Sequence, residues 1–187
     1  MIPTRMNPLG SPPYLRRLAH LDSTGTQYIN TGLKPVADFT EAEITWSSVL
    51  SCGVRAGYMN GEFRISTSNV KFDIAFGSSA ETVYDDFSSP VTVKMCTDGK
   101  FYRDGTLIYS GTGNPAQLYD FLLFMANSAG TPIGGGNGKI YRATFRNASG
   151  TVRDFIPVMD KSGVRCLFDS ITETLYYNAG TGSFGGQ

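Results

Sequence analysis

The chain has no charge excess, a single histidine, a single tryptophan and no long apolar run. Its 187 residues carry sixteen basic and sixteen acidic side chains, and charged residues make up only 17 %. With no Lys/Arg cluster beyond Arg16-Arg17, a nucleic-acid partner is not expected, because that binding draws on many phosphate contacts. The most apolar run, Leu118 to Ala126, is about half the length a membrane helix needs, and it contains Asp120; no membrane partner is expected. His20 alone excludes multi-histidine metal sites. It also leaves any nucleophilic triad a single base, and no Gly-x-Ser-x-Gly elbow is present; a structural place in the first strand is expected for it. Cys52, Cys96 and Cys166 are odd in number, far apart and without metal-ligand spacing, and they read as free buried thiols on strands. The first residues hold no apolar h-region, which predicts no secretory signal. The sequon Asn147-Ala148-Ser149 therefore reads as chance.

What is abundant points to strands. Apolar residues are 41 % of the chain, enough for one domain with a continuous core. Twenty-two glycines accompany twelve Phe and ten Tyr, a combination that suits tight turns between aromatic-rich strands. In the last third, short apolar segments are separated by Gly, Asn, Asp and Ser at intervals of roughly ten residues, the spacing of an all-β sandwich. In Lys139–Phe145, alternation places Ile140, Arg142 and Thr144 on one face and Tyr141, Ala143 and Phe145 on the other. Val152 to Pro157 ends in a proline that a central strand would not accept in its middle.

In chain order, residues 1–13 contain Pro3, Pro8, Pro12 and Pro13 and are expected to form an extended arm. Residues 14–187 form the domain. A strand is expected from Tyr14 to about Leu21, a turn at Asp22–Gly25 and a second strand over Gln27–Thr31. In Phe39–Trp46, Ala42, Ile44 and Trp46 share the core face, while Glu41, Glu43 and Thr45 face solvent. Val49–Gly53, Glu62–Ser66 and Lys71–Gly77 follow as short strands. Asp98-Gly99 and Asp104-Gly105 punctuate Val91–Tyr109 as hairpin turns. Leu118–Asn127 reads as one buried strand and Gly130–Gly138 as a surface loop.

Tyr14-Leu-Arg-Arg-Leu followed by Ser23-Thr-Gly-Thr-Gln-Tyr-Ile-Asn-Thr-Gly32 resembles the opening of concanavalin A-like (laminin-G-like) jelly-roll domains found in phage and gut-bacterial proteins. So do Gly138-Lys-Ile-Tyr141, Val152-Arg-Asp-Phe-Ile-Pro157, Leu167-Phe-Asp169 and Tyr177-Asn-Ala-Gly-Thr-Gly-Ser-Phe184. The resemblance covers residues 14 to 184 and is carried by the two ends. It implies a two-sheet antiparallel jelly-roll sandwich with one concave sheet. Its matched residues look structural: Gly25, Gly32, Gly180 and Gly182 for turns, Ile140, Phe155 and Leu167 for the core. None carries over as catalytic.

Chemical motifs are sparse. The Glu-x-Asp-x-x-Glu pattern of sandwich glycosidases is absent, and Glu41-Ala-Glu43 reads as a solvated face rather than a carboxylate pair spanning a sugar. Gly180-Thr-Gly-Ser-Phe-Gly185 spells a dinucleotide string, but only Gly186 and Gln187 follow where a helix is needed. Gly134–Lys139 lacks the leading glycine and closing Ser/Thr of a phosphate loop. Asp85, Asp86, Asp98, Asp104, Asp160 and Asp169 read as turn residues rather than a calcium set. Neither a metal nor a cofactor is expected, and the chain reads as a non-enzyme. The expected function is that of a phage virion structural protein, a capsid decoration or fibre-type subunit on the virion surface and a homo-oligomer. It would be anchored to other virion proteins through Ile2, Pro3, Arg5, Met6, Pro8 and Leu9. The alternative is a lectin-like module binding host-surface or mucus glycans, with Tyr58, Tyr84, Tyr102 and Tyr119 as platforms.

Overall fold

The computed structural model describes residues 11–48, 51–55, 61–68, 71–84, 88–112 and 118–187; the anchoring residues expected between Ile2 and Leu9, and Tyr58, lie outside them. Among the described residues the strands are β1 (Tyr14–Arg17), β2 (Leu21–Asp22), β3 (Ile29–Asn30), β4 (Glu41–Ser48), β5 (Ser51–Arg55), β6 (Glu62–Ser68), β7 (Lys71–Gly77), β8 (Ser79–Tyr84) and β9 (Val91–Cys96). Then come β10 (Lys100–Arg103), β11 (Thr106–Ser110), β12 (Leu122–Leu123), β13 (Ala126–Ser128), β14 (Thr131–Ile133), β15 (Gly138–Asn147), β16 (Gly150–Asp160), β17 (Arg165–Asp169) and β18 (Thr174–Tyr176). They form two sheets with no helix among the described residues.

The ten-stranded sheet runs β11-β10-β9-β4-β15-β16-β17-β18, with β1 beside β16 and β2 beside β15. The eight-stranded sheet runs β14-β13-β5-β6-β7-β8, with β12 joining β3 to β5. Every pairing is antiparallel except β13 with β5. The expected all-β, two-sheet sandwich is therefore the architecture of the chain. Ala42, Ile44 and Trp46 of β4, with Val91, Val93 and Met95 of β9, face Cys52, Val54, Phe63, Ile65, Ile74 and Phe76 of the other sheet. Between them sits a cluster of phenylalanines. Phe39 lies edge-on to Phe145 at 5.0 Å and to Phe121 at 5.8 Å, geometries that add about 0.5–1.5 kcal/mol per pair beyond area burial.

Several local expectations change, each for a physical reason. The alternation in β15 breaks at a bulge: Ile140 registers with Trp46, but the next register pair is Arg142 with Thr45. The extra residue, Tyr141, shifts the phase, so Ile140 joins Ala143 and Phe145 on the core side, away from Arg142 and Thr144. Pro157 does not end its strand; β16 continues to Asp160 and pairs with β17 through Pro157–Leu167. The polar groups of Pro157 point the other way, where Leu18 N donates to Pro157 O at 2.9 Å. Proline has no N–H to return that bond, and β1 ends one residue earlier, at Arg17. The first expected strand stops there, leaving His20 between β1 and β2, and the second shrinks to Ile29–Asn30.

The Leu118–Asn127 segment is not one strand. It is cut into β12 and β13 by Phe124, which is fully buried at φ +72°. The Gly130–Gly138 loop contains β14, paired to β13 through Ala126–Ile133. Strand β8, across the turn at Gly77-Ser78, has no counterpart among the expected elements.

Candidate functional site

The two stretches that carry the family resemblance meet. The segment after β2 folds back on itself because Gln27 Oε1 accepts from Thr24 N (2.7 Å) and from the hydroxyls of Ser23 and Thr24 (both 3.1 Å). Gly25, at φ +101°, makes the turn that this requires. Gln27 is 2 % exposed, and its amide nitrogen donates across the molecule to Thr181 O at 3.1 Å. Asn178 completes the junction: Oδ1 accepts from Tyr28 N (3.1 Å) and Gly180 N (2.8 Å), while Nδ2 donates to Thr181 O (3.3 Å) and Gly182 O (3.0 Å). Ala179 N and Thr181 N donate to Tyr28 O and Thr26 O. Gly180 fits because any Cβ there would sit 2.0 Å from Thr26 O. This junction is a clasp between the two ends of the domain, and its polar groups are taken up by the chain itself.

A different arrangement covers the outer face of the ten-stranded sheet. The register pairs Tyr102 with Lys94, Lys94 with Glu43, Glu43 with Thr144 and Thr144 with Asp154. These five side chains form a row across β10, β9, β4, β15 and β16, about 19 Å long at the usual interstrand spacing. Flanking rows add Thr92, Thr45 and Arg142 on one side and Cys96, Glu41 and Arg146 on the other. Lys94 Nζ lies 4.5 Å from the centre of the Tyr102 ring, a cation–π contact. Arg146 Nη2 reaches Glu43 Oε1 at 3.5 Å. Arg142 grips Asp154 with two bonds, Nε to Oδ1 at 2.7 Å and Nη2 to Oδ2 at 3.0 Å, while Ser170 Oγ donates to Oδ2 at 3.0 Å. Burial alone would raise the Asp154 carboxyl, but Arg142, Ser170 and Thr144 outweigh it and hold the group below the ordinary carboxylate range. Asp154 is thus a fixed anion, unsuited to donate a proton as a general acid.

Of the four tyrosine platforms, Tyr102 falls on this face. Tyr119 packs against the core instead. Tyr84 ends β8 opposite Lys71, its side chain lying outside the described residues. Glu41 and Glu43 share the face as expected, with Glu43 paired to Arg146. His20 lies 3.3 Å from Asp22 and 5.5 Å from the Tyr141 ring. Of the turn carboxylates, Asp85 and Asp86 lie outside the described residues. Asp160 Oδ1 caps its own turn, accepting from Ser162 N and Val164 N at 2.8 Å, and Asp169 Oδ1 accepts from Ile171 N at 3.1 Å in its turn and from Asp154 N at 2.9 Å on the neighbouring strand. Among the described residues no three His, Cys, Asp or Glu side chains gather as a metal set, and no helix is long and apolar enough to cross a membrane. Sequence reasoning missed Lys94, Arg142, Thr144 and Asp154. Each alternates on its own strand, but only the long-range register and the β15 bulge bring them to Tyr102.

The chain matches no family model and no curated protein.

Proposed function

We propose that the chain is a non-enzymatic structural subunit of a phage virion, a capsid decoration or fibre-type protein that displays a concanavalin A-like jelly roll. Residues 1–13 anchor it to a neighbouring virion protein. The observation that carries this reading is the clasp. The residues that bear the resemblance to the phage domains are used to lock the two ends of the sandwich together, which is what a displayed, mechanically closed domain requires. Glu43 and Asp154 of the outer face, held in ion pairs with Arg146 and Arg142, are suited to fixed charge rather than to turnover. Co-sedimentation with capsids tests the anchoring: the full chain is expected to pellet with them and the chain lacking residues 1–13 to stay in solution. Equal pelleting of both would overturn it.

A second reading is glycan binding, and the row from Tyr102 to Asp154 favours it. An aromatic ring beside fixed donors and acceptors on one sheet face is the combination that recognises sugars. A polysaccharide array is expected to retain the wild-type chain and to lose it on Tyr102→Ala. An array on which both proteins behave alike would remove this reading and leave the first intact.

A further inference from the structure

We propose that the outer edge of β11 is a two-fold contact between two copies of this chain, centred on Leu107, which joins their ten-stranded sheets into one. This inference rests on neither the virion nor the glycan reading.

The first observation is what the edge lacks. An open strand edge is a template for another strand, and proteins blunt it with charge, proline or shortness. Among the described strands that pair on one side only, β1 carries Arg16 and Arg17, β8 carries Glu81 and β14 contains Pro132, while β2, β3 and β18 have two or three residues. Strand β11, Thr-Leu-Ile-Tyr-Ser, has five residues with no charge and no proline, and it ends the order of its sheet.

The second is the direction of its free backbone groups. Asp104 and Gly105, at φ +46° and +83°, form the two-residue turn between Arg103 and Thr106, as the positive φ at both positions requires. The pair that closes such a turn is hydrogen-bonded. The N–H and C=O of Thr106 therefore point to β10, and those of the next residue, Leu107, point away from it. A bulge follows: Tyr102 registers with Leu107 and Phe101 with Tyr109, leaving Ile108 as the extra residue. Ile108 packs against the core, and the bulge confines any added pairing to the neighbourhood of Leu107.

The third is the side chain. Leu107 stands opposite Tyr102 on the outer face and is 50 % exposed. A two-fold axis normal to the sheet is the symmetry of an antiparallel ladder between identical strands. Placed at Leu107, it sets Leu107 against its own copy, Thr106 against Ile108 and Asp104 against Ser110, so no like charges are opposed. Both outer faces stay on one side of the joined sheet. Tyr102 and Leu107 of the two copies then form one apolar strip, with a polar row continuing from each end of it. An unrelated strand finds no charge on β11 to select it, whereas a second copy brings a matching leucine and tyrosine by symmetry. The contact is small, so the dimer is weak and reversible.

The test is sedimentation equilibrium of the full chain over a range of concentrations, and a monomer–dimer equilibrium is expected. Leu107→Lys opposes two ammonium groups at the axis and should raise the dimer dissociation constant about tenfold or more. Ile171→Lys makes the same kind of change at an equally exposed residue beside β18, at the other end of the sheet order, and should leave the dimer unchanged. In a Cys96→Ser background, oxidised glutathione should cross-link Leu107→Cys between copies, because a hydrogen-bonded pair sets its Cα atoms about 5.5 Å apart, within disulfide reach. Thr106→Cys, displaced from the axis, should stay uncross-linked. A monomer at every concentration overturns the proposal. So does a dimer indifferent to Leu107→Lys, one weakened equally by Ile171→Lys, or one in which both cysteines cross-link alike. A monomer that dimerises only after residues 1–10 are removed would overturn it in favour of the chain's own first segment as the occupant.

Discussion

The clasp and the outer face of the ten-stranded sheet are both polar, yet they spend their polar atoms differently. In the clasp, side chains of residues 23–28 and 178 reach backbone groups roughly 150 positions away, as in Gln27 to Thr181 and Asn178 to Tyr28. On the face, side chains pair with side chains on adjacent strands, as Arg142 with Asp154 and Arg146 with Glu43. The Gln27 amide is buried, and a buried polar group left without its partners carries a desolvation cost, so the clasp is coupled to folding. Ion pairs at the rim of water carry little, so the face is free to vary or to bind. Polar residues at a domain's two ends are therefore no evidence of a ligand when their partners are backbone.

The largest effect should come from the clasp. Asn178→Ala removes four hydrogen bonds, two of them part-buried, to Tyr28 N and Gly180 N, and about 2 kcal/mol of stability is expected to go with them. Gly180→Ala forces the Thr26 carbonyl aside and should cost about 2 kcal/mol or more, the scale of overpacking against backbone. Urea denaturation measures both. A loss below ~0.5 kcal/mol in each, the size of a neutral surface change, would erase the distinction between the two regions.

Next comes Asp154→Asn, which tests the face. About 1 kcal/mol is expected at neutral pH, given a partly solvated pair. The sign follows from the depressed folded-state pKa of Asp154. Its contribution is fully present above the unfolded value of about 4 and is lost as pH falls through the lower folded value. Wild type and variant should therefore differ at pH 7 and converge in acid. A gap that stays constant down to pH 2 would mean that Asp154 acts by packing and not by charge. Lys94→Ala should be smaller still, about 0.5 kcal/mol for a surface cation–π contact, and it should leave the clasp untouched by hydrogen exchange at Tyr28 and Ala179.

The sequence made the strongly periodic parts readable. The alternation of β4 places Ala42, Ile44 and Trp46 inside, and Asp-Gly at 98–99 and 104–105 turns the chain as expected, with Gly99 and Gly105 at φ +89° and +83°. Cys52 and Cys166 are buried free thiols, and Ile140, Phe155 and Leu167 are core. What was not readable depends on distant partners. The Tyr141 bulge shifts the phase of β15 with no local signal in Lys-Ile-Tyr-Arg. Pro157 is tolerated because its neighbour on one side is Leu18, just past the end of β1 and about 140 residues away in the chain. The row from Tyr102 to Asp154 needs four registers to be known before its two ends can be placed on one line. The candidate site was thus legible at Tyr102, Glu41 and Glu43 and illegible elsewhere.

Cys96 gives the smallest effect and the finest probe of the face. Unlike Cys52 and Cys166, it is half-buried, at the end of β9 opposite Glu41. Burial first, then the Glu41 carboxylate, pushes its thiol up to about 11. Only the thiolate is nucleophilic, so at pH 8 roughly one thiol in a thousand is reactive, against about one in four for an ordinary cysteine. Iodoacetamide should therefore label Cys96 slowly in the native protein, at a rate that climbs with pH well past 9. Glu41→Gln should speed labelling by less than tenfold, because the charge is the lesser of the two causes. Rapid labelling at pH 8 would mean that this edge of the face stands open to water, and the contrast with the clasp would then be one of exposure alone rather than of how each region uses its polar groups.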